Sequence, residues 1–381
     1  MKELSDAAPS ELPRVLMVTP RYFPEMGGVE NHVYQVAGRL ARAGVQISVL
    51  TTDREGKFPP CEQVDGVHVR RVRAWPARRD YYFAPEIYPY IQRHKWDLIH
   101  LQSYHTLVAP LAMFAARQAR VPYVVTFHGG GHSSRMRNTL RGVQWSLLRP
   151  LISGAVRLIA VAEFEIEFWG RKFGLPADRF VVIPNGADLP PLKRAGRRIT
   201  AGRTVIASIG RLEQYKGHQR IISAMPYILK QCPDVQLWIA GVGPYEPALN
   251  DLANQLNVSD HVEIRAVPVS ERERMAEEVS QAALVVLLSE FETHPIAVLE
   301  AIALGRPALV AATSGLNELA DKGLAQAISL DSTPRQVAEA VLKQLHQPHI
   351  PPPFKLPTWD ECATDLFRLY QQIVRESVCV S

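Results

Sequence analysis

Residues 283–307 read ALVVLLSEFETHPIAVLEAIALGRP. The first part, Leu284–Leu288, is an apolar run without polar alternation, which marks a strand buried on both faces, as in a parallel sheet covered by helices. A short polar loop follows, and then an apolar stretch of helix length. Glu292 falls in the loop and Glu300 one to two turns into the helix. The start of such a helix, with free N–H groups expected from about His294 to Ala297, is a ready site for a diphosphate. Glu292 can accept hydrogen bonds from sugar hydroxyls, and a carboxylate at Glu300 can take both protons of a ribose diol. Both acids also suit an ordinary helix start, where the macrodipole favours them. On these residues alone the two readings stand side by side.

The same strand–loop–helix pattern extends in both directions. In the first half, strands are predicted at Val15–Thr19, Gln46–Thr51, Val67–Val72, Asp97–Leu101, Tyr123–Phe127, Arg157–Val161 and Phe180–Ile183. In the second half they fall at Thr204–Ile209, Gln236–Ala240, Val262–Arg265, Leu284–Leu288 and Pro307–Ala311. Between the first two, Val29, Val33, Val36, Ala37 and Leu40 recur at helical spacing and Gly44 closes the helix. Alternating β and α elements predict doubly wound α/β sheets. Residues 188–203 mix Pro, Gly and charge without periodicity and read as a linker. A second break, 348–357, holds five prolines in ten residues, which excludes helix and central strand. Trp359, Leu366, Tyr370 and Ile373 then lie on a last helix that crosses back to the first domain. The expected division is 1–190 and 191–357, with 358–381 packed on the first.

Length and composition agree with two such domains: 381 residues, 47% hydrophobic and 21% charged. The opening residues hold no apolar signal-peptide segment, and no apolar run approaches the ~20 residues of a membrane span. A cytoplasmic protein, free or held at the inner face of the membrane, is expected. Cys61, Cys232, Cys362 and Cys379 form no CxxC pair, which gives no support for a zinc site or a disulfide framework and reads as packing thiols in a reducing compartment. The net charge of +5 is uneven: residues 66–157 carry 14 Lys and Arg against 3 Asp and Glu. That imbalance suits an anionic partner such as a lipid headgroup or phosphorylated acceptor, or is simply a solvated arginine-rich surface. Without interleaved aromatics or a nucleic-acid motif, no nucleic-acid partner is expected.

Two further segments carry chemistry. ASIGRLEQYKGHQRIISAM, residues 207–225, places Arg211 and Lys216 around a glycine turn, where two cations could clamp a diphosphate leaving group. No DxD occurs, so no metal site is expected and protein cations take the metal's part. In PRYFPEMGGVENHVYQVAGRL, residues 20–40, Gly27 and Gly28 permit close backbone approach at a helix start. The GxGxxG fingerprint of nicotinamide enzymes is absent.

With these segments, VVTFHGG, VIPNGADLPP, IGRLEQYKG, IAGVGPYEPAL, ETHPIAVLEA and TWDECATDLFRLY occur in order along nearly the whole chain. The sequence resembles retaining glycosyltransferases of the GT-B fold, family 4. That resemblance implies two Rossmann-like domains facing a central cleft, with the donor nucleotide in the second and the acceptor facing the first. It also implies transfer from a nucleoside-diphosphate sugar, the co-substrate, with no further cofactor. Matched position by position, Arg211 and Lys216 correspond to the phosphate-binding pair, Glu292 to the acid on the sugar and Glu300 to the acid on the ribose. Ile296 and Ala297 correspond to backbone phosphate donors and His128 to the histidine beside the donor sugar. Asn185 and Gly186 fit the turn at the cleft, and Gly28 the loop closing over the substrates. Gly210, Gly243, Pro244, Thr293 and His294 fall on the donor side. Thr293-His294-Pro295 departs from the family's usual GFG after the first Glu, which stiffens the loop, removes one N–H and bears on the donor sugar; His294 either bonds the donor or is structural. The mechanism implied has no enzymic nucleophile; the β-phosphate helps take the acceptor proton. The acceptor is open among glycan, glycolipid and small metabolite. A lipid-linked one would suit residues 135–152, RMRNTLRGVQWSLLRPLI, read as a basic amphipathic helix for peripheral membrane contact or as a core helix with arginines on its wet side. The rival functions are a nucleotide-sugar epimerase and a non-catalytic nucleotide-sugar-binding protein.

Overall fold

The computed structural model describes residues 12–25, 27–77, 82–104, 106–129, 145–190, 204–268 and 270–378. They fall into two compact units, one holding residues up to 186 and from 357 onward, the other residues 187–356.

The first unit is built on eight strands: β1 (Arg14–Val18), β2 (Gln46–Asp53), β3 (Cys61–Val64), β4 (Val67–Arg73), β5 (Leu98–Gln102), β6 (Tyr123–Thr126), β7 (Arg157–Ala160) and β8 (Phe180–Val182). Their order is β3-β4-β2-β1-β5-β6-β7-β8, parallel throughout except for the β3–β4 pair. Helices α1 (Gly28–Arg42), α2 (Ile87–Arg93), α3 (Val108–Gln118) and α4 (Phe164–Phe173) flank it. β1 shows why an unbroken apolar run is needed. Leu16 and Val18 join one core with Ile91, Ala112 and Trp169, while Val15 and Met17 join another with Val33, Val36 and Leu40 of α1. Side chains alternate across the sheet, and both faces are covered.

The second unit holds β9 (Thr204–Ile209), β10 (Val235–Ala240), β11 (Val262–Ile264), β12 (Leu284–Leu287), β13 (Ala308–Ala311) and β14 (Gln326–Ile328). The order β11-β10-β9-β12-β13-β14 is wholly parallel. Around it run α5 (His218–Leu229), α6 (Glu246–Gln255), α7 (Arg272–Gln281), α8 (Ile296–Ala303), α9 (Ser314–Asp321) and α10 (Pro334–His346). Ile206 faces Ile221, Met225 and Val341; Ala207 and Ile209 face Val279 and Ala301 on the other side.

After the proline-rich break, α11 (Trp359–Val378) closes the first unit. Leu366, Phe367, Tyr370 and Ile373 share the core of α1, and Arg39 Nε donates to Asp360 at 2.7 Å. Every predicted strand appears within about two residues of its expected ends. β3 and β14 were not predicted: each is a short edge strand without a buried residue, so it has no apolar run to reveal it. Of the basic segment 135–152, residues 135–144 lie outside the described residues. Residues 145–152 are helical, with Leu148 and Ile152 in the core and Leu147 exposed. Among the described residues no helix is long and apolar enough to cross a membrane.

Candidate active site

In each sheet the strand order reverses once, between β1 and β5 and between β9 and β12. The carboxyl ends of strands at such a reversal open a crevice where ligands of doubly wound proteins bind. Most candidate residues lie on the loops or helix starts that follow these strands or their immediate neighbours; Asn185 and Gly186 instead follow β8, at the edge of the first sheet.

In the second unit, β9 runs into Gly210, whose N–H donates to the Ala240 carbonyl at 3.0 Å. The following turn lies against the 241–245 loop: Leu212 donates to Val242, and Tyr245 donates back to Leu212, both at 3.0 Å. A Cβ at Gly243 would meet the Leu212 carbonyl, so glycine is required for the approach. Pro244 beside it is exposed. Lys216 ends a single 3₁₀ turn, and Gly217 takes φ +79° with its missing Cβ directed at the Leu288 carbonyl. The Lys216 turn is thereby pressed onto the end of β12.

There Lys216 Nζ meets Glu292 Oε1 at 2.5 Å, with side-chain exposures of only 15% and 11%. Ser289 Oγ donates to the same oxygen at 2.8 Å. The Glu292 backbone is held as well: its N–H donates to Ser314 Oγ at 2.8 Å, and its carbonyl accepts from Gly315 at 2.9 Å. Two charges largely withdrawn from water thus hold each other in place, so removing one would leave the other uncompensated. Arg211 is more open. Its guanidinium pairs with Glu213 at 3.0 Å and donates to the Tyr215 hydroxyl at 2.7 Å. The Tyr215 ring lies 5.4 Å from Lys216 Nζ, so one buried aromatic supports both cations.

His218 sits beneath this loop. Nε2 donates to the Arg211 carbonyl at 3.3 Å, and Nδ1 accepts from Ser208 Oγ at 2.9 Å. Burial, the dominant cause, pushes its pKa down to about 4, so the ring is neutral at pH 7.

Glu300, on α8, is buried and paired with Arg272 at the start of α7; Arg272 also donates to the Asp188 carbonyl at 3.0 Å. Burial raises the Glu300 carboxyl above the ordinary range, and Arg272 opposes that rise. The start of α8 corrects one expectation. Pro295 has no N–H, and the Ile296 N–H bends back to the His294 carbonyl at 2.9 Å. Of the N–H groups expected from His294 to Ala297, two are therefore missing or engaged. Thr293 is buried and His294 half-buried.

The first unit carries the remaining candidates. Gly28 opens α1 with open space where a Cβ would be. Asn185 Oδ1 is buried without a hydrogen-bond partner among the described residues. Gly186 is glycine because a Cβ there would strike the backbone of Thr358 and Trp359 at the start of α11. His128, just past β6, adopts φ +43°, and its Nε2 lies 2.7 Å from Gln102 Oε1 at the end of β5. The His32 ring of α1 meets it edge-on at 4.6 Å.

Tyr215, Ser289, Arg272 and Gln102 were not singled out by the sequence; each acts through a partner remote in the chain or through an unremarkable residue type. Cys362 is a packing thiol whose pKa burial pushes up to about 12. Cys61 is exposed, Cys232 half-buried, and Cys379 lies outside the described residues. Among the described residues no three His, Cys, Asp or Glu side chains gather as a metal site would require.

Residues 26–190 match the family model for Glycosyltransferase Family 4, and residues 191–355 that for Glycosyl transferases group 1. Among curated relatives, the D-inositol 3-phosphate glycosyltransferase of Nocardiopsis dassonvillei is 28% identical over 363 residues, covering 85% of this chain and 82% of the relative. Sucrose-phosphate synthase from Thermosynechococcus elongatus superposes with a TM-score of 0.70 at 19% identity, covering 96% of this chain and 97% of that one. The Anabaena protein HepE, solved with UDP and glucose, gives 0.69 at 18% identity over 97% and 100% of the two chains. At such identities the two structures speak to the fold alone.

Proposed function

Because the chain belongs to the family 4, group 1 glycosyltransferases of the GT-B fold, we propose that it transfers a sugar from a nucleoside-diphosphate donor to an acceptor hydroxyl, with retention and without a metal ion. The observation that carries this reading is the Lys216–Glu292 pair at the reversal point of the second sheet, with Arg211 tied to it through Tyr215. An arriving diphosphate competes with Glu292 for Lys216. The ammonium then turns to phosphate, and the released carboxylate is left to accept from sugar hydroxyls. Two cations, Lys216 shielded from water and Arg211 more open, stabilise the charge that gathers on the departing β-phosphate. Ala297 adds a backbone donor, and Ile296 can do so once its N–H leaves the His294 carbonyl. Glu300, paired with Arg272, takes the ribose diol.

For retention, the C1–phosphate oxygen bond breaks and the C1–acceptor oxygen bond forms on the same face of the sugar. The acceptor's proton passes to the phosphate oxygen that leaves. Orientation and electrostatic stabilisation supply the rate, and no side chain becomes covalently attached. A phosphorylated polyol is the acceptor class we favour. The inositol 3-phosphate in the relative's name belongs to that class, and the basic composition of residues 66–157 suits it.

Thermal unfolding with UDP, GDP, ADP and their sugar conjugates, in the presence of chelator, tests the donor site. At about 100 times Kd, a single site adds about 2.7 kcal/mol of stability. One base family should raise the midpoint, chelator or not. No shift with any nucleotide, or a shift that demands a divalent ion, would overturn the donor assignment or its metal-free form.

A further inference from the structure

Three consecutive residues where α9 begins clasp the loop that follows β12. Thr313 Oγ1 donates to the Ser289 carbonyl at 2.9 Å. The Glu292 N–H donates to Ser314 Oγ at 2.8 Å, across 22 positions of sequence, and the Gly315 N–H donates to the Glu292 carbonyl at 2.9 Å. Both ends of the 289–292 loop, and both backbone groups of Glu292, are thus tied to one helix start. The side chain is held as well: Ser289 Oγ donates to Oε1 at 2.8 Å, and the same oxygen meets Lys216. Oε2 has no hydrogen-bond partner among the described residues. Every residue of this arrangement belongs to the second unit.

Ser314 is the unexpected member of the clasp. Its φ of +43° lies in the left-handed region, which glycine takes freely and which costs any residue that carries a Cβ. Such a residue persists only where its surroundings determine it, and positions of this kind gather at functional sites. What serine offers here and glycine does not is the hydroxyl oxygen, and that oxygen receives the Glu292 N–H. We propose that Ser314 is a positioning residue for Glu292: its left-handed backbone sets Oγ where it fixes the loop, so that the open carboxylate oxygen stands ready for a hydroxyl of the donor sugar. This rests on the sugar-contacting role of Glu292 within the proposed function. Lys216 and Ser289 fix the near oxygen of the carboxylate, while Thr313, Ser314 and Gly315 fix the backbone that carries it. With both ends held, Oε2 has one direction in which to accept, and a displacement of about 1 Å at such a group can cost about a hundredfold in rate.

The test uses the full chain with Ser314→Ala and Ser314→Gly, beside Glu292→Gln. Both Ser314 variants delete the hydroxyl, but only glycine also relieves the backbone. Ser314→Gly should therefore unfold at a higher denaturant concentration than Ser314→Ala, while the two lose function alike. Binding is measured with UDP, GDP and ADP and with their glucose, N-acetylglucosamine and mannose conjugates. Each Ser314 variant should bind the cognate sugar conjugate about tenfold more weakly than the wild type. The free diphosphate should bind no more weakly, because a looser Glu292 competes less for Lys216. Release of diphosphate with inositol 3-phosphate present should slow about tenfold or more in both. Wild-type affinity for the conjugate in both variants, with Glu292→Gln weakened, overturns the proposal. So does a loss that follows stability, larger in Ser314→Ala than in Ser314→Gly, since the backbone and not the hydroxyl would then matter. Unchanged conjugate binding in Glu292→Gln removes the sugar role of Glu292 and the proposal with it. Failure of every nucleotide to bind the wild type strikes the donor assignment on which both stand.

Discussion

His218 illustrates how one buried side chain sets a charged site without belonging to it. Its neutral ring donates to the Arg211 carbonyl and accepts from Ser208, which shapes the backbone between two candidate phosphate-binding cations. Since its folded pKa is about 4 and its unfolded value about 6.5, the unfolded chain binds the proton first on acidification. Stability attributable to this residue is complete above about pH 6.5 and falls as the pH drops towards 4, by about 3 kcal/mol in all. A His218→Gln variant should be less stable at pH 7 yet show a shallower decline between those values. Denaturant unfolding at several pH values measures this, and parallel curves for the two proteins would contradict it. Lys216 and Glu292 make a related point. Each was recognisable from its motif, but that they neutralise each other is a fact of distance across 76 positions.

At the scale of the element, glycines set where the loops can lie. Gly217 and Gly305 both have positive φ, +79° and +69°, but only Gly217 has an atom in the path of a Cβ, the Leu288 carbonyl. Gly305→Ala should therefore cost only the left-handed penalty of about 1–2 kcal/mol. Gly217→Ala should cost that plus an overpacking term of about 1–3 kcal/mol. It should also weaken nucleotide binding, because the displaced turn carries Lys216. Equal losses of stability in the two variants, by chemical denaturation, would show that the contact with β12 is unimportant. The start of α8 is the contrary case. Its sequence already lacked the Pro295 N–H, and only the structure shows the Ile296 N–H bent back onto the His294 carbonyl, leaving fewer free groups than a regular helix start would.

Across the whole molecule, two sheets have two sets of cores, and α11 belongs to the first although it follows the second in sequence. Calorimetry should resolve two transitions. Leu366→Ala, which empties a fully buried position on α11, should lower the first unit's transition by about 2–5 kcal/mol. A bound nucleotide should raise the other. A single transition that both perturbations move alike would refute this division. Much of the architecture was legible beforehand: unbroken apolar runs such as RVLMV announce strands covered on both sides, and helical spacing in residues 29–40 announces α1. The candidate cations and acids were legible too, since Arg211, Lys216, Glu292 and Glu300 stand at loops and helix starts that the local pattern marks. The short edge strands β3 and β14 were not, because exposure removes the apolar signal. Nor were Tyr215, Arg272 and Gln102, whose roles exist only through partners. By itself the sequence determined which segments become strands and helices and which charges stand at their ends, because these follow from local periodicity and residue chemistry. Only the tertiary structure decided which charges pair, which imidazole nitrogen holds its proton and which backbone donors are already taken. Those depend on burial and on ångström-scale distances between residues far apart in the chain.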